Sequence, residues 1–315
     1  MASFKGYDLV VAGSGFAGSM ATLNFLEECK KQHKSGRVAL VEVGKDGERC
    51  GASRWTMAYL RLDKNLDFGQ VSNGLADEEY CHKLQKEAGV TAHYLEDHGV
   101  KFVHHDETNV LLEFKTGQHF VFPEGGGKAI ISKLFEQIRE FDNCDIYWET
   151  EAIRLMTDDA GAIRGLKVRK NDGLLHDLLA PNVVLACGGF EGNQEMLARY
   201  IGRNTHALPL IAPGLKQLRR RQTDINARVL STNDVPIPGL WAAGEMTGLF
   251  YNEYPPATSC LRSMAFGRLA GLEIAKNQGK PQGTASEKAI PSERRIDDNM
   301  SMDQAALPAE VKASA

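Results

Sequence analysis

Tyr7-Asp8-Leu9-Val10-Val11-Ala12-Gly13-Ser14-Gly15-Phe16-Ala17-Gly18 is the stretch that decides the fold. A short apolar run rich in Val and Leu, Tyr7 to Ala12, passes through glycines into a segment from Ala17 to Lys30 with helical spacing, which reads as strand, turn, helix. Arg37 to Val43 is a second buried-strand candidate and closes a βαβ unit of the roughly 30-residue size such units have. The glycine spacing has a physical reason: Gly13 permits the tight turn, Gly15 lets the backbone approach a pyrophosphate, and Gly18 lets the helix pack closely on the strand. The helix N-terminus, with Ser14, Phe16 and Ala17 along it, supplies amide donors and a positive dipole end for phosphates. Glu42, at the end of the second strand and followed by Val43, would accept hydrogen bonds from an adenosine ribose, and a carboxylate there disfavours a 2′-phosphate. A dinucleotide site follows, but the motif alone does not separate FAD from NAD.

Composition sets the outer limits. With 315 residues and 43% hydrophobic content, the chain has material for one large domain or two ordinary ones. A net charge of −4 gives no long-range reason to expect nucleic acid or an anionic membrane as a partner, and Arg219-Arg220-Arg221 is too short to change that. The six cysteines contain no CxxC pair, so they read as reduced structural thiols rather than a dithiol or a zinc site. No apolar run has the length of a membrane span, Met1 to Lys5 lacks a signal-peptide layout, and Ala313-Ser314-Ala315 is not a peroxisomal address. A soluble cytoplasmic protein is expected.

Further along, Gly74 to Gly99 shows a helical period with Asp77-Glu78-Glu79 at its N-terminal end, which predicts one or two surface helices. His119 to Phe122 reads as a strand, Lys128 to Phe141 as a helix, and Ile146 to Trp148, Ala162 to Arg169 and Val183 to Ala186 as strands. Ala227 to Leu230 and Leu240 to Ala243 also read as strands, with Pro236-Ile237-Pro238-Gly239 as a turn between them. Ser259 to Lys276 has helical character.

The segment Pro236-Ile237-Pro238-Gly239-Leu240-Trp241-Ala242-Ala243-Gly244-Glu245 resembles the second FAD signature of the fumarate reductase and succinate dehydrogenase flavoprotein family. Three more segments carry the same resemblance: Arg49-Cys50-Gly51-Ala52-Ser53-Arg54-Trp55-Thr56, Glu124-Gly125-Gly126-Gly127-Lys128 and Ala186-Cys187-Gly188-Gly189-Phe190-Glu191-Gly192-Asn193. The last two are similar to the tricarballylate dehydrogenase-like branch. Cys50 and Ala52 depart from that branch, which places an amide side chain near the cofactor. The resemblance implies non-covalent FAD, since no histidine occupies the 49–56 loop. It implies cofactor contacts from Gly51, Ala52, Ser53, Thr56, Gly126, Gly127, Ala152, Gly188, Gly189, Gly244 and Glu245, with Glu245 beside the ribityl chain. It also implies that the helix opened by Ser259, Cys260 and Leu261 points its positive end at the flavin N1 and O2 edge.

Relatives in this family insert a capping domain between the Gly188-Gly189 segment and the Gly244-Glu245 segment, and that domain carries substrate-clamping and proton-delivering residues. Here residues 201–225 alone stand in its place, and no arginine inherits the acid's role by motif. Tyr251, Tyr254 and Arg262 are the candidates for remaining substrate contacts. His93, His98, His104 and His105 read as surface residues, without metal-site spacing.

The expected fold is α/β: a Rossmann-like FAD domain of the glutathione-reductase-like βαβ type with an inserted strand-rich segment. It would be built from residues 1–200 and 226–279, with 201–225 as a linker and 280–315 as a disordered tail. Three readings of function stand at this point. One is an FAD-dependent oxidoreductase acting on a small organic substrate, with a partner chain or oligomer covering an open flavin site. The second is a flavin-binding chain that does not turn over, and the third is an NAD-dependent dehydrogenase, against which the Pro236 to Glu245 run argues.

Overall fold

The computed structural model describes residues 6–48, 51–62, 76–104, 120–189, 194–200, 223–248 and 257–279. Its centre is set by three short apolar runs. β1 (Leu9–Ala12) and β2 (Val38–Val41) are buried at every position, as strands covered on both faces must be, and β10 (Val183–Leu185) pairs with β1 in parallel. Among the described residues the main sheet runs β11-β12-β10-β1-β2-β6, with β6 (Cys144–Tyr147), β11 (Arg228–Leu230) and β12 (Pro236–Ala242). All its pairings are parallel except that of β11 with β12.

Alternation along these strands sorts the core into two sides. Leu9, Val11, Val38, Leu40 and Val184 face one hydrophobic cluster with α1 (Phe16–Lys31) and three further helices. These are α2 (Glu78–Asp97), α3 (Gly126–Ile138) and α5 (Ser259–Asn277). Val10, Ala12, Ala39, Val41 and Val183 face the other cluster, which holds Ile163, Leu166, Val168 and Leu178. Those four belong to an antiparallel three-stranded sheet of β7 (Thr150–Thr157), β8 (Ile163–Lys170) and β9 (Leu175–Leu179). A smaller antiparallel sheet orders β3 (Leu60–Arg61), β5 (Phe120–Pro123) and β4 (Phe102–His104). α4 (Gln194–Tyr200) follows β10. Among the described residues no helix is long and apolar enough to cross a membrane, and the five described cysteines are free.

α1 is buried at every position from Phe16 to Leu26, so it sits inside the helical layer rather than on it. α5 crosses it at backbone contact. A Cβ added to Gly267 would lie 2.3 Å from the Ala17 carbonyl oxygen, and one at Gly271 would lie 2.3 Å from that of Ala21. Gly271→Ala should therefore push the two helices apart and lower the urea unfolding free energy by roughly 1–3 kcal/mol, the usual cost of overpacking. An unchanged midpoint would mean that the helices do not meet there.

Several expectations are corrected. Of the 74–99 segment, Glu78–Asp97 forms one helix rather than two, capped by the Asp77 carboxylate accepting from Tyr80 N at 2.9 Å; it lies at the surface with His82, Lys86 and His93 exposed, but its other face is core. Tyr80, Leu84 and Leu95 are buried, and the Tyr80 ring stacks on Phe266 of α5 at 3.9 Å between centroids. Pro236-Ile237-Pro238-Gly239 is part of β12 and not a turn; the chain reverses earlier, at Ser231–Val235. Its two prolines precede Leu240, where the parallel pairing with β10 begins, so their missing N–H groups break no central ladder. The 201–225 linker falls outside the described residues up to 222, and the 280–315 tail wholly so.

His98 is corrected as well, since its side chain is only 14% exposed. Nε2 lies 2.7 Å from Glu27 Oε1 and Nδ1 lies 2.6 Å from the Tyr94 carbonyl oxygen, so both ring nitrogens face acceptors. The hydrogen bond to Glu27 raises its pKa above the ordinary histidine value, with smaller upward effects from the Tyr94 carbonyl, Glu27's charge and Asp97, against burial, which lowers it. A raised folded-state pKa means that this stabilisation is complete below the unfolded value and is lost as pH rises through the folded one. His98→Ala should accordingly reduce thermal stability clearly at pH 5.5 and much less at pH 9; an equal loss at both pH values would contradict the charged assignment.

Candidate cofactor site

β1, β10 and β12 are parallel and adjacent, so their C-terminal ends deliver three loops to one edge of the sheet. This is the edge at which open α/β sheets bind ligands, and chain order reverses beside β1, whose two neighbours are β10 and β2. The first loop is Gly13 to Gly15. Gly13 adopts φ +103°, and a Cβ on it would stand 2.3 Å from the Ala186 carbonyl oxygen, which keeps the first and second loops in backbone contact. Gly18 lies beneath: its missing Cβ would be 1.8 Å from the Gly13 carbonyl oxygen, so the helix start packs directly on the turn.

Glu42 follows β2 and is 6% exposed. Its Oε2 accepts from Ser14 N at 3.1 Å and from Ser14 Oγ at 2.6 Å, and its Oε1 accepts from Gly44 N at 2.8 Å. Three donors converging on one carboxylate fix the shape of the loop, while oxygen lone pairs remain for a further donor. Ser19 Oγ donates to the Ser14 carbonyl at 2.8 Å and adds a second tie. Val43 beside it is exposed, and Ala152 is half-buried in β7 opposite Val168, against the cluster that includes Val41.

The 51–56 loop leans on the first turn of α1. Ser53, in a short 3-10 turn at Ala52–Arg54, accepts from Phe16 N at 3.2 Å through its hydroxyl. Gly51 and Ala52 are exposed beside it. Thr56 offers its carbonyl to Gly127 N at 2.9 Å and its hydroxyl lies 3.8 Å from Cys260 Sγ. A Cβ on Gly127 would fall 2.0 Å from the Ser53 carbonyl oxygen, and one on Gly126 3.1 Å from that of Thr56. The two glycines thus seat α3 against the loop. In the second loop Gly188 has φ +77° and open space where a Cβ would stand, and Gly189 is exposed.

The third loop begins at Gly244, with φ +85°, and forms a 3-10 turn over Gly244–Met246. Met246 Sδ accepts from Cys187 N at 3.3 Å and so links the second and third loops, a contact that no motif announces. Glu245 is partly exposed on this turn. α5 then opens with Ser259, Cys260 and Leu261, of which Leu261 is buried. Burial pushes the Cys260 thiol up to about 11 despite its place at a helix start, so it is neutral near pH 7. Arg262 lies 1% exposed beneath the third loop, where its guanidinium donates to the Thr247 and Gly244 carbonyls and to Glu245. Tyr251 and Tyr254 lie outside the described residues.

Two observations test whether these residues suit a dinucleotide bearing a flavin. Neither α1 nor α5 has an acidic residue in its first turn or a capping hydrogen bond from its N-cap side chain, so both helices present positive ends. The glycine turn at the first of them leaves no room for a Cβ at Gly13 or Gly18. One positive end suits a pyrophosphate and the other an electron-rich ring edge. The site fits FAD, for which Glu42, the Gly13–Phe16 backbone and Glu245 are the groups that would face the ribose, the phosphates and the ribityl chain.

Known proteins agree. Residues 8–217 match the family described as FAD binding domain. The chain is 24% identical over 232 residues to vinyl phenol reductase of Lactiplantibacillus plantarum, covering 68% of this chain and 44% of that protein. It is 24% identical over 208 residues to the mitochondrial succinate dehydrogenase flavoprotein subunit of Oryza sativa subsp. japonica, covering 58% of this chain and 32% of that one. The chain thus spans less than half the length of these relatives. A flavocytochrome c3 fumarate reductase in its open conformation superposes with a TM-score of 0.63 at 15% identity, over 87% of this chain and 79% of that one, a likeness of fold. The chain belongs to the FAD-binding-domain family, with the fold of its fumarate reductase flavoproteins and FAD as its cofactor.

Proposed function

We propose that the protein is an FAD-dependent oxidoreductase of the dehydrogenase or ene-reductase type, moving hydride between flavin N5 and a carbonyl- or carboxylate-activated C–C bond of a small organic substrate. FAD supplies the hydride-accepting and hydride-donating atom; the chain supplies orientation and electrostatics. The observation that carries the reading is the convergence of the three loops and two positive helix ends at one sheet edge. Glu42 and the Gly13 turn fix the nucleotide end, and the start of α5 with neutral Cys260 lets helix dipole rather than thiolate charge act on the ring edge. Trp55, 74% exposed with the Arg54 guanidinium 4.4 Å over its ring, adds an apolar face and a cation beside Ser53 and Thr56, which suits a conjugated carboxylate. Vinyl phenol reductase, by its name, reduces a conjugated substrate, in keeping with this choice.

The test is anaerobic: the flavin of the purified protein is reduced, then mixed with fumarate, a cinnamate and an enone, and its reoxidation is timed against free FAD. Reoxidation well above the free-FAD rate with one of them is expected. Rates equal to those of free FAD with all three would reject the activity. They would favour a second reading, in which the chain binds flavin without turnover. That reading draws on the short span of residues 186–227 between β10 and β11, which leaves little chain to cover the flavin unless a partner or second copy does so.

A further inference from the structure

We propose that Arg262 is a positioning residue for the cofactor, clamping the Gly244–Thr247 turn from beneath so that Glu245 is held where the ribityl chain must pass. The inference rests on the FAD-binding reading above. Arg262 is the fourth residue of α5 and its side chain is 1% exposed. A buried guanidinium costs several kcal/mol in desolvation unless it is paired and hydrogen-bonded, and an apolar side chain of similar size is often as stable in such a place. A charge kept here is therefore weak as a stabiliser and strong as a fixer of geometry.

The geometry is specific. One terminal nitrogen donates to the Thr247 carbonyl at 2.9 Å, and the other donates to the Gly244 carbonyl at 3.2 Å and to Glu245 Oε1 at 3.1 Å. Both ends of a single turn and the carboxylate between them are held by one planar group. The Gly244 carbonyl also accepts from Thr247 N at 3.0 Å and Thr247 Oγ1 at 2.8 Å, so the turn has little freedom left. A Cβ on Gly244 would meet Ala17 Cβ at 3.3 Å and Ser263 Oγ at 3.5 Å, which seats the turn against both the start of α1 and α5. Glu245 is 23% exposed; the clamp takes Oε1, and Oε2 has no partner among the described residues. One carboxylate oxygen is fixed and the other is left for a ligand hydroxyl. A lysine keeps the charge but has no planar fork to span three acceptors.

The decisive experiment titrates apoprotein with FAD for wild type, Arg262→Lys, Glu245→Gln and the double variant, with far-UV circular dichroism and thermal melting of each apoprotein alongside. Each single change is expected to weaken FAD binding about tenfold or more while the apo fold persists, and the double variant is expected to be no weaker than the worse single, because Arg262 acts through Glu245. Additive losses, or wild-type affinity in Arg262→Lys, would overturn the proposal. Should the lysine variant fail to fold, Arg262→Gln, which keeps one bond to a turn carbonyl, is read the same way; loss of fold in both would show a purely structural residue and overturn it too. Wild type that takes up no FAD defeats the cofactor reading itself, an outcome distinct from all of these.

Discussion

Gly18→Ala is expected to abolish retention of FAD and to cost about 3 kcal/mol of stability or more, at the upper end of overpacking effects. The new methyl group would stand 1.8 Å from the Gly13 carbonyl oxygen and 3.3 Å from Val11 Cγ1. Neither the turn nor the strand can yield cheaply. Gly13 is held on its other side by the Ala186 carbonyl, and β1 is paired on both edges, with β10 and β2. The first turn of α1 must therefore lift off the sheet, carrying with it the Phe16 amide that meets Ser53. Soluble expression, urea unfolding and flavin content read the result together. A variant that keeps wild-type flavin content would show that α1 does not pack on the glycine turn in the way described.

Glu42→Ala is the second large effect. The carboxylate is the acceptor for Ser14 N, Ser14 Oγ and Gly44 N, and it is nearly buried. Removing it leaves three donors facing a small cavity, for which roughly 3 kcal/mol is a fair cost given about 1–3 kcal/mol per unsatisfied group. With Glu42 as the proposed acceptor for the ribose hydroxyls, FAD affinity should also fall by about 100-fold or more, equivalent to about 2.7 kcal/mol. Glu42→Gln keeps one carbonyl oxygen for the loop, and should lose less stability than the alanine while still weakening FAD. Titration of the apoproteins with FAD and their melting curves give both numbers. Normal affinity in the alanine variant would remove the carboxylate from the ribose end of the site.

The parts of this architecture that can be read from the chain are those in which side-chain chemistry and backbone geometry agree locally. Burial on both faces of β1 and β2 requires continuous apolar residues, and Leu9 to Ala12 and Val38 to Val41 supply them. The glycines at 13 and 18 are demanded by contacts of 2.3 Å and 1.8 Å, so their spacing carries real geometric information. The third loop is legible for a similar reason: Gly244 sits at φ +85°, directly after a strand that pairs with β10.

Other parts depend on neighbours far away in sequence. β7 and β9 do not stand out, because their outer faces carry a mixture of charged and apolar residues that blurs the alternation of a half-buried strand. His98 looks like one more polar residue at a helix end, and only Glu27, on a different helix, draws it inward. Arg262 reads as a substrate contact from its nearness to the Gly244 loop. The helical step instead turns it under that loop, onto the same buried side as Leu261, Ala265 and Phe266. The packing of α2 on α5 likewise hangs on the stacking of Tyr80 with Phe266, which no local pattern encodes.

The most direct measurement of the central claim is the visible absorption spectrum of the purified chain, taken as isolated and again after incubation with FAD and removal of the excess. Flavin absorption approaching one FAD per chain, lost on Gly18→Ala and Glu42→Ala, is the predicted result. A colourless protein that takes up no added FAD would contradict it.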